Sequence, residues 1–342
     1  MPKKKPPKLI ARNCLVSANK LGSHLDGHFA HTNPSDAESL FIIGLPRSGT
    51  TLAYELVVQA FRVAFFSKIS NYSFGMPNLT TRLFTRFMKN PRARFRSEYG
   101  RIPGLFTPAE NHNFWRSWFP EDPQLGHFVP ATSIQEDAAR NMNSTLRSIS
   151  GIARLPFVFK DVYLSLSLDA VLQRVERSKV LVVTRDRESV AASIFKRRAE
   201  LGSQLPWWSI RPPFANQVLD SSMVEQVAFQ CVRSEQLLEK QISNADPERY
   251  RVIDYAALCE SPRDFLKQMC DWLGPAFEPR ENSNIPQHFV NRPSIGFPDV
   301  VGEEYARLSK LFFDDKDQYI RRIELESGTD RFRRHSDLRG DL

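Results

Sequence analysis

The sequence predicts an α/β fold, a central parallel sheet flanked by helices in a P-loop-like three-layer arrangement, and three segments carry that expectation. Leu40-Phe41-Ile42-Ile43 and Val180-Leu181-Val182-Val183-Thr184 are short apolar runs without polar alternation, the pattern of strands buried on both faces. Pro156-Phe157-Val158-Phe159 is a third such run. Each ends in turn or charged residues and leads into a helical pattern, and alternating strands and helices imply a parallel sheet built from crossovers.

Taken in order, residues 1–37 are polar and read as an irregular arm, flexible or wrapped on the surface. Residues 38–323 read as a single domain, because the candidate ligand segments at 44–51, 160 and 185–193 must share one sheet. The first strand and helix span about 39–62. A long, largely helical insertion fills 63–155, and its centre, Arg82 to Arg101, is dense in Arg, Lys and Phe. That stretch suits either a solvated face with buried phenyl rings or an amphipathic helix meeting an acidic or membrane surface. A helix from about Leu164 to Glu176 separates the second and third strands, and Val190, Ala191, Ile194 and Phe195 start the helix after Thr184. Val224, Val227, Ala228, Cys231, Leu237 and Leu238 mark another helix within 219–243. Tyr250 to Tyr255 reads as a further buried strand. Ser261-Pro262-Arg263-Asp264 is a helix start with Pro at the first helical position, and Gly274-Pro275 ends that helix. The segment from Glu324 to Leu342 reads as a charged, solvated tail.

Function is concentrated in Gly44-Leu45-Pro46-Arg47-Ser48-Gly49-Thr50-Thr51. A strand, a tight turn and a helix N-terminus there aim backbone N–H groups and hydroxyls at one point, which makes an anion site. The glycines have P-loop spacing, but Thr50 stands where a P-loop NTPase places its Lys, and the cation has moved back to Arg47. Such a loop is poorly built for a metal-bound triphosphate and suits a smaller anion such as a phosphosulfate. The competing reading is a strand–turn–helix whose Gly and Ser only make the turn. Arg185, at the carboxyl end of the 180–184 strand, and Ser193, two turns into the next helix, offer a second grip for phosphate. Ligands of open parallel sheets bind outside the carboxyl ends of the strands, so both elements would open onto one crevice.

With these residues the chain resembles the sulfotransferases that use 3′-phosphoadenylyl sulfate (PAPS). Their 5′-phosphosulfate loop reads Pro-(Lys/Arg)-Ser-Gly-Thr-Thr, as do Pro46 to Thr51, and their 3′-phosphate motif pairs an Arg with a Ser eight residues on, as do Arg185 and Ser193. The likeness runs in order over residues 38–275. Arg47 and Leu52 look more like the tyrosylprotein and bacterial carbohydrate-type branches than the cytosolic phenol and steroid branch. The resemblance implies PAPS as donor and the bisphosphate PAP as product. It implies nucleotide contacts from Arg47, Ser48, Gly49, Thr50, Thr51, Arg185 and Ser193, with Arg292 in a basic, Gly-containing loop as a further one. Lys160 matches the family's Lys at the sulfuryl bridge, although Val162 departs from the Lys-Asp-Pro of the tyrosylprotein branch. Arg47 and Lys160 would stabilise the leaving group, by analogy with phosphoryl transfer, and no metal is required.

The general base is less well marked. Val162 occupies the position of the cytosolic branch's His, and residues 63–74 lack the Glu of the tyrosylprotein branch. Glu110 is the first candidate, His112 the second and Asp161 the third. Trp115, Trp118, Trp207 and Trp208 are candidates for the acceptor site and equally for the core. The acceptor is expected to be a hydroxyl of a carbohydrate, lipid-linked or small-molecule compound. The alternatives are a P-loop kinase or NTPase, and a non-catalytic binder of the nucleotide or of a sulfated glycan.

A formal charge of +8 and a pI near 9.4 suit an anionic ligand or partner. No nucleic-acid motif is present. Cys14, Cys231, Cys259 and Cys270 have neither CxxC nor metal-type spacing, as expected of reduced thiols. With no signal-peptide pattern and no apolar stretch long enough to span a bilayer, the expectation is a cytoplasmic, bacterial enzyme. Peripheral membrane contact and a homodimer are both compatible with the sequence.

Overall fold

The apolar runs become neighbouring strands because only the middle of a sheet hides both faces of a strand from water. The structure is a computed structural model that describes residues 7–88, 95, 97, 100–202, 207–281, 283–291 and 296–328. Its strands are β1 (Ser39–Ile43), β2 (Ala64–Phe65), β3 (Phe157–Lys160), β4 (Ser178–Thr184) and β5 (Tyr250–Asp254), all parallel in the order β2-β3-β1-β4-β5. Phe41 of the central strand lies opposite Phe159 on one side and Val180 on the other.

Side chains alternate across the sheet, as the two-residue repeat of a strand requires. Phe41, Ile43, Phe157, Phe159, Val180 and Val182 enter one core, while Leu40, Ile42, Val158, Leu181 and Val183 enter the other. Burying a large apolar side chain such as Phe41 completely contributes about 1.5–3 kcal/mol.

Along the chain the helices are α1 (Pro7–Asp26), α2 (Thr50–Ala60), α3 (Lys68–Tyr72), α4 (Pro77–Met88), α5 (His112–Arg116), α6 (Glu136–Ala153) and α7 (Leu168–Arg174). Then come α8 (Arg187–Leu201), α9 (Met223–Asn244), α10 (Tyr255–Glu260), α11 (Pro262–Leu273), α12 (Asp299–Asp314) and α13 (Lys316–Ser327). Helices α6 and α7 cover the first core, α2 and α11 the second. The result is three layers, helix–sheet–helix.

Several elements differ from the sequence reading. Residues 7–26 are helical rather than irregular, and α1 is fixed to the rest by polar contacts. The Asp26 carboxylate accepts from Asn78 N (3.1 Å) and Leu79 N (2.9 Å), capping α4 from outside. The 63–155 insertion is not only helical, since β2 within it supplies an edge strand. The helix expected over 164–176 is a 3-10 turn (Tyr163–Leu166) followed by α7. Ser167 separates them, and its hydroxyl is drawn off to accept from Val129 N (2.8 Å). β5 is a half-exposed edge strand, not a buried one, and α10 stands between it and α11. The expected tail beginning at Glu324 starts inside α13, whose Tyr319 and Ile323 are buried.

Strand order explains where a ligand can go. From β1 the chain leaves towards β2, and from β4 it leaves in the opposite direction towards β5. β1 and β4 are adjacent, so a crevice opens between the loops at their carboxyl ends. Those loops hold Arg47 and Arg185.

Candidate functional site

The loop from Gly44 to Gly49 turns β1 into α2 with backbone shapes that explain its glycines. Gly44 has φ 153°, and a Cβ there would stand 2.3 Å from the Val183 carbonyl oxygen. Gly49 has φ 101°, and a Cβ there would stand 2.1 Å from the Tyr255 ring. Arg47 also has positive φ, 72°, an uncommon conformation for a residue with a side chain. Ser165 fixes the start of the loop: its hydroxyl accepts from Gly44 N and donates to Gly44 O, both at 2.8 Å. Gly49 is the N-cap of α2, and the Thr50 and Thr51 amides at its start precede the first helical hydrogen bonds, from Leu52 N and Ala53 N to the Gly49 carbonyl, so they and the helix dipole favour an anion.

Side chains from three other strand ends converge on the loop. Arg47 Nε donates to Ser193 Oγ (2.9 Å) on α8, and Arg185 Nη1 donates to the Arg47 carbonyl (3.2 Å). The Arg185 guanidinium lies 4.6 Å from the centre of the Tyr255 ring, a cation–π contact. At the end of β3, the buried Lys160 donates to Thr51 Oγ1 (3.1 Å) and pairs with the Glu110 carboxylate. Thr51 Oγ1 is also 3.4 Å from the Gly100 carbonyl, to which it donates.

A cavity of about 410 Å³ opens between these groups. Arg47, Gly49, Thr50, Thr51, Glu110, Lys160 and Arg185 line it, together with Arg101, Tyr163, Trp207, Trp208 and Tyr255. Ser193 reaches it only through Arg47. Ser48 is 1% exposed, faces a smaller adjoining cavity with Arg187 and Glu235, and its Oγ has no hydrogen-bond partner among the described residues. Arg292 lies outside the described residues.

His112 starts α5 but does not line the cavity. Its ring stacks on Tyr163 (3.8 Å between centres) and its Nε2 is 3.2 Å from Glu121. Burial favours neutrality there, yet the Glu121 hydrogen bond and the Asp161 charge outweigh it and raise the His112 pKa. His127, edge-on to Tyr163, is held the other way: burial lowers it to about 4, and its Nδ1 accepts from Arg211 N (2.6 Å). Asp161 is fully buried. Burial pushes it up to about 7, with the His112 charge partly opposing and the Glu110 charge adding. One Asp161 oxygen accepts from Tyr163 N (2.9 Å), and the other has no hydrogen-bond partner among the described residues.

Of the four candidate tryptophans, Trp207 and Trp208 line the cavity. Trp115 is core, packed on Phe41, Phe114 and Phe159, and Trp118 packs against the same cluster. Sequence reasoning missed Tyr255, Tyr163, Arg101 and Ser165. Tyr255 directly follows a parallel strand, a position where ligand residues collect, so a signal for it was present. Arg101 closes the basic stretch noted in the sequence but was not singled out within it, and Ser165 had no signal, because nothing local distinguishes it from other turn residues. Among the described residues no group of three or more His, Cys, Asp or Glu side chains is placed to hold a metal ion.

The fold and the cleft at its switch point define an α/β protein of P-loop-like class. A protein-family model described as the sulfotransferase family matches residues 39–279, and since this is more than half of the chain, the chain belongs to that family. Among solved structures it is similar to the sulfotransferase STF9 from Mycobacterium avium, at 16% identity and TM-score 0.46, over 69% of this chain and 63% of that one. The chain thus covers less than two thirds of STF9. It is also similar to the sulfotransferase STF1 from Mycobacterium tuberculosis, at 13% identity and TM-score 0.48, over 75% and 72% of the two chains. A sulfotransferase from Alicyclobacillus acidocaldarius matches at 13% identity and TM-score 0.40, over 86% and 98%. The comparison with curated proteins gave no match.

Proposed function

We propose that the protein transfers the sulfuryl group of PAPS to a hydroxyl of a carbohydrate, lipid-linked or small-molecule acceptor. The observation that carries this reading is the convergence of Arg47, Arg185 and Lys160 on one cavity beside the α2 N-terminus. Three cations and a set of helix amides suit a nucleotide with an anionic group at each end. The α2 amides, Thr50 and Thr51 would hold the 5′-phosphosulfate, while Arg185 and Ser193 would hold the 3′-phosphate. The Tyr255 ring, already beneath the Arg185 guanidinium, keeps that cation in place.

In the transfer, the acceptor oxygen attacks sulfur in line, the bond from sulfur to the bridging oxygen breaks, and PAP leaves. Arg47 and Lys160 offset the charge that develops on the leaving oxygens, and the acceptor proton passes to Glu110. Glu110 is preferred to His112 because it lines the cavity, whereas His112 is stacked behind Tyr163 and bonded to Glu121. The Lys160–Glu110 pair holds the Glu110 carboxylate at the cavity wall beside the proposed leaving-group lysine. Trp207 and Trp208 would offer flat faces to the acceptor.

Calorimetric titration with adenosine 3′,5′-bisphosphate in the absence of metal, beside ATP with Mg²⁺, tests the donor site. Micromolar binding of the bisphosphate that is lost in Arg185→Ala supports the reading. Binding of Mg²⁺-ATP alone would favour a kinase. Tight bisphosphate binding without sulfate transfer to any hydroxyl acceptor would favour a non-catalytic binder.

A further inference from the structure

Helix α1 is turned inside out for a surface helix. Among its residues 14–26 the buried positions are Asn19, Gly22 and Asp26, while Leu21 and Leu25 are 71% and 56% exposed. The helix is held by polar contacts: Asn19 Nδ2 donates to the Tyr72 carbonyl (2.8 Å), Asn19 Oδ1 accepts from Gly75 N (2.7 Å), and Asp26 caps α4. The neighbouring α4 likewise shows water a stripe of Arg82, Leu83, Arg86 and Phe87, with Leu83 63% exposed. Phe87 stacks on Phe106 at 4.2 Å, and the adjacent Leu105 is exposed too. Solitary exposed leucines are ordinary, but apolar residues repeated along two adjoining helices form a surface that a partner would cover.

Charge identifies the partner. Asp26 is the single carboxylate on α1 and α4, and it is buried. No Asp or Glu occurs between Glu55 and Glu98, a span with Arg62, Lys68, Arg82, Arg86, Lys89, Arg92, Arg94 and Arg96. Ahead of α4 in the sequence, Lys3, Lys4, Lys5, Lys8, Arg12 and Lys20 add to the same sign. Arg82 donates to the Phe29 and Ala30 carbonyls, which are neutral, so its charge is not cancelled by them. A second copy of this chain would bring two cationic faces together, which is unfavourable. A surface that combines exposed leucine and phenylalanine with Lys and Arg fits the headgroup region of an anionic bilayer. We infer that the α1–α4 face docks the protein on an anionic lipid surface. The segment that packs on α4 through Phe106 also supplies Gly100 and Arg101 to the cavity lining, so docking would bring the cavity mouth close to the lipid. This inference does not depend on the donor or on turnover.

The test is co-sedimentation of the full chain with phosphatidylglycerol–phosphatidylcholine vesicles and with pure phosphatidylcholine vesicles, at low and high salt. Expected is salt-sensitive binding to the anionic vesicles that weakens roughly ten-fold or more in Leu21→Gln/Leu25→Gln and again in Lys20→Gln/Arg86→Gln. Thermal midpoints and bisphosphate affinity serve as controls that both variants fold. No preference for anionic vesicles, or equal binding by both folded variants, overturns the inference. Self-association abolished by Leu21→Gln/Leu25→Gln, without vesicle binding, would assign the face to a second copy. Binding to polyglutamate as tight as to vesicles and indifferent to the leucines would assign an acidic protein. Either result overturns lipid docking.

Discussion

Arg47 and Ser193, one in the loop after β1 and the other on the helix after β4, are joined by a 2.9 Å hydrogen bond from Nε to Oγ. The two candidate anion-binding elements therefore touch through their side chains as well as sharing a crevice. A ligand phosphate near Ser193 would meet the Arg47 guanidinium at the same place.

Substitutions at this junction should affect nucleotide affinity in order of charge. Ser193→Ala removes one hydrogen bond, about 1–2 kcal/mol, and should weaken bisphosphate binding about ten-fold. Arg185→Ala should weaken it by about a hundred-fold or more, and Arg185→Lys should restore little, because an ammonium cannot reproduce the forked grip over the Tyr255 ring. Calorimetry reads all three. Unchanged affinity in Arg185→Ala would remove the 3′-phosphate role.

Glu110→Gln separates chemistry from binding. If Glu110 takes the acceptor proton, kcat should fall about 10²–10⁴-fold while donor affinity changes little. Gln can still accept from Lys160, so the fold should persist, which a melting curve would verify. His112→Gln should leave kcat much closer to wild type. Full activity in Glu110→Gln would return the role to another group.

Asp161 gives a pH signature of stability. Its pKa is about 7 in the folded chain, against an ordinary 3.8. Between those values the folded state keeps a proton that the unfolded state releases, so the Asp161 contribution to stability declines as pH rises and is fully lost above about 7. Asp161→Asn stays neutral, so relative to wild type it should gain stability progressively across that window. Denaturant titrations at the two ends of the window measure the difference, and parallel slopes for the two proteins would contradict the buried-carboxyl account.

Gly49→Ala meets two obstacles, a positive φ and the Tyr255 ring 2.1 Å from the new methyl. Strain at one such residue costs about 1–3 kcal/mol, and displacement of Tyr255 would loosen Arg185 as well. The expected result is lower stability and weaker bisphosphate binding together. Adding Tyr255→Ala should recover part of the stability but not the binding.

What could be read beforehand depended on whether the signal was local. The 40–43 and 180–183 runs are fully apolar because they are buried on both faces of the sheet, so they and the residues at their ends were legible. β2 was not, since two residues make no pattern. α1 was missed because, over residues 14–26, its buried face is Asn19, Gly22 and Asp26, which is the composition of a loop. In the site, Arg47, Lys160 and Arg185 were found from strand ends, whereas the Lys160–Glu110 pair joins positions 50 residues apart and leaves no trace in spacing. Ser165 was invisible for the same reason: its partner Gly44 is 121 residues away.

Those separations bear on how the molecule is made. The contact from Arg185 to the Arg47 carbonyl spans 138 residues, and that from Arg47 to Ser193 spans 146. Pairing β1 with β4 requires closing a loop that contains the whole insertion, and contacts of high sequence separation form slowly. A chain still emerging from the ribosome carries the glycine loop long before it has the residues that complete the grip. If the cleft holds a nucleotide as proposed, that ability should therefore arise in one late step, when β4 docks beside β1.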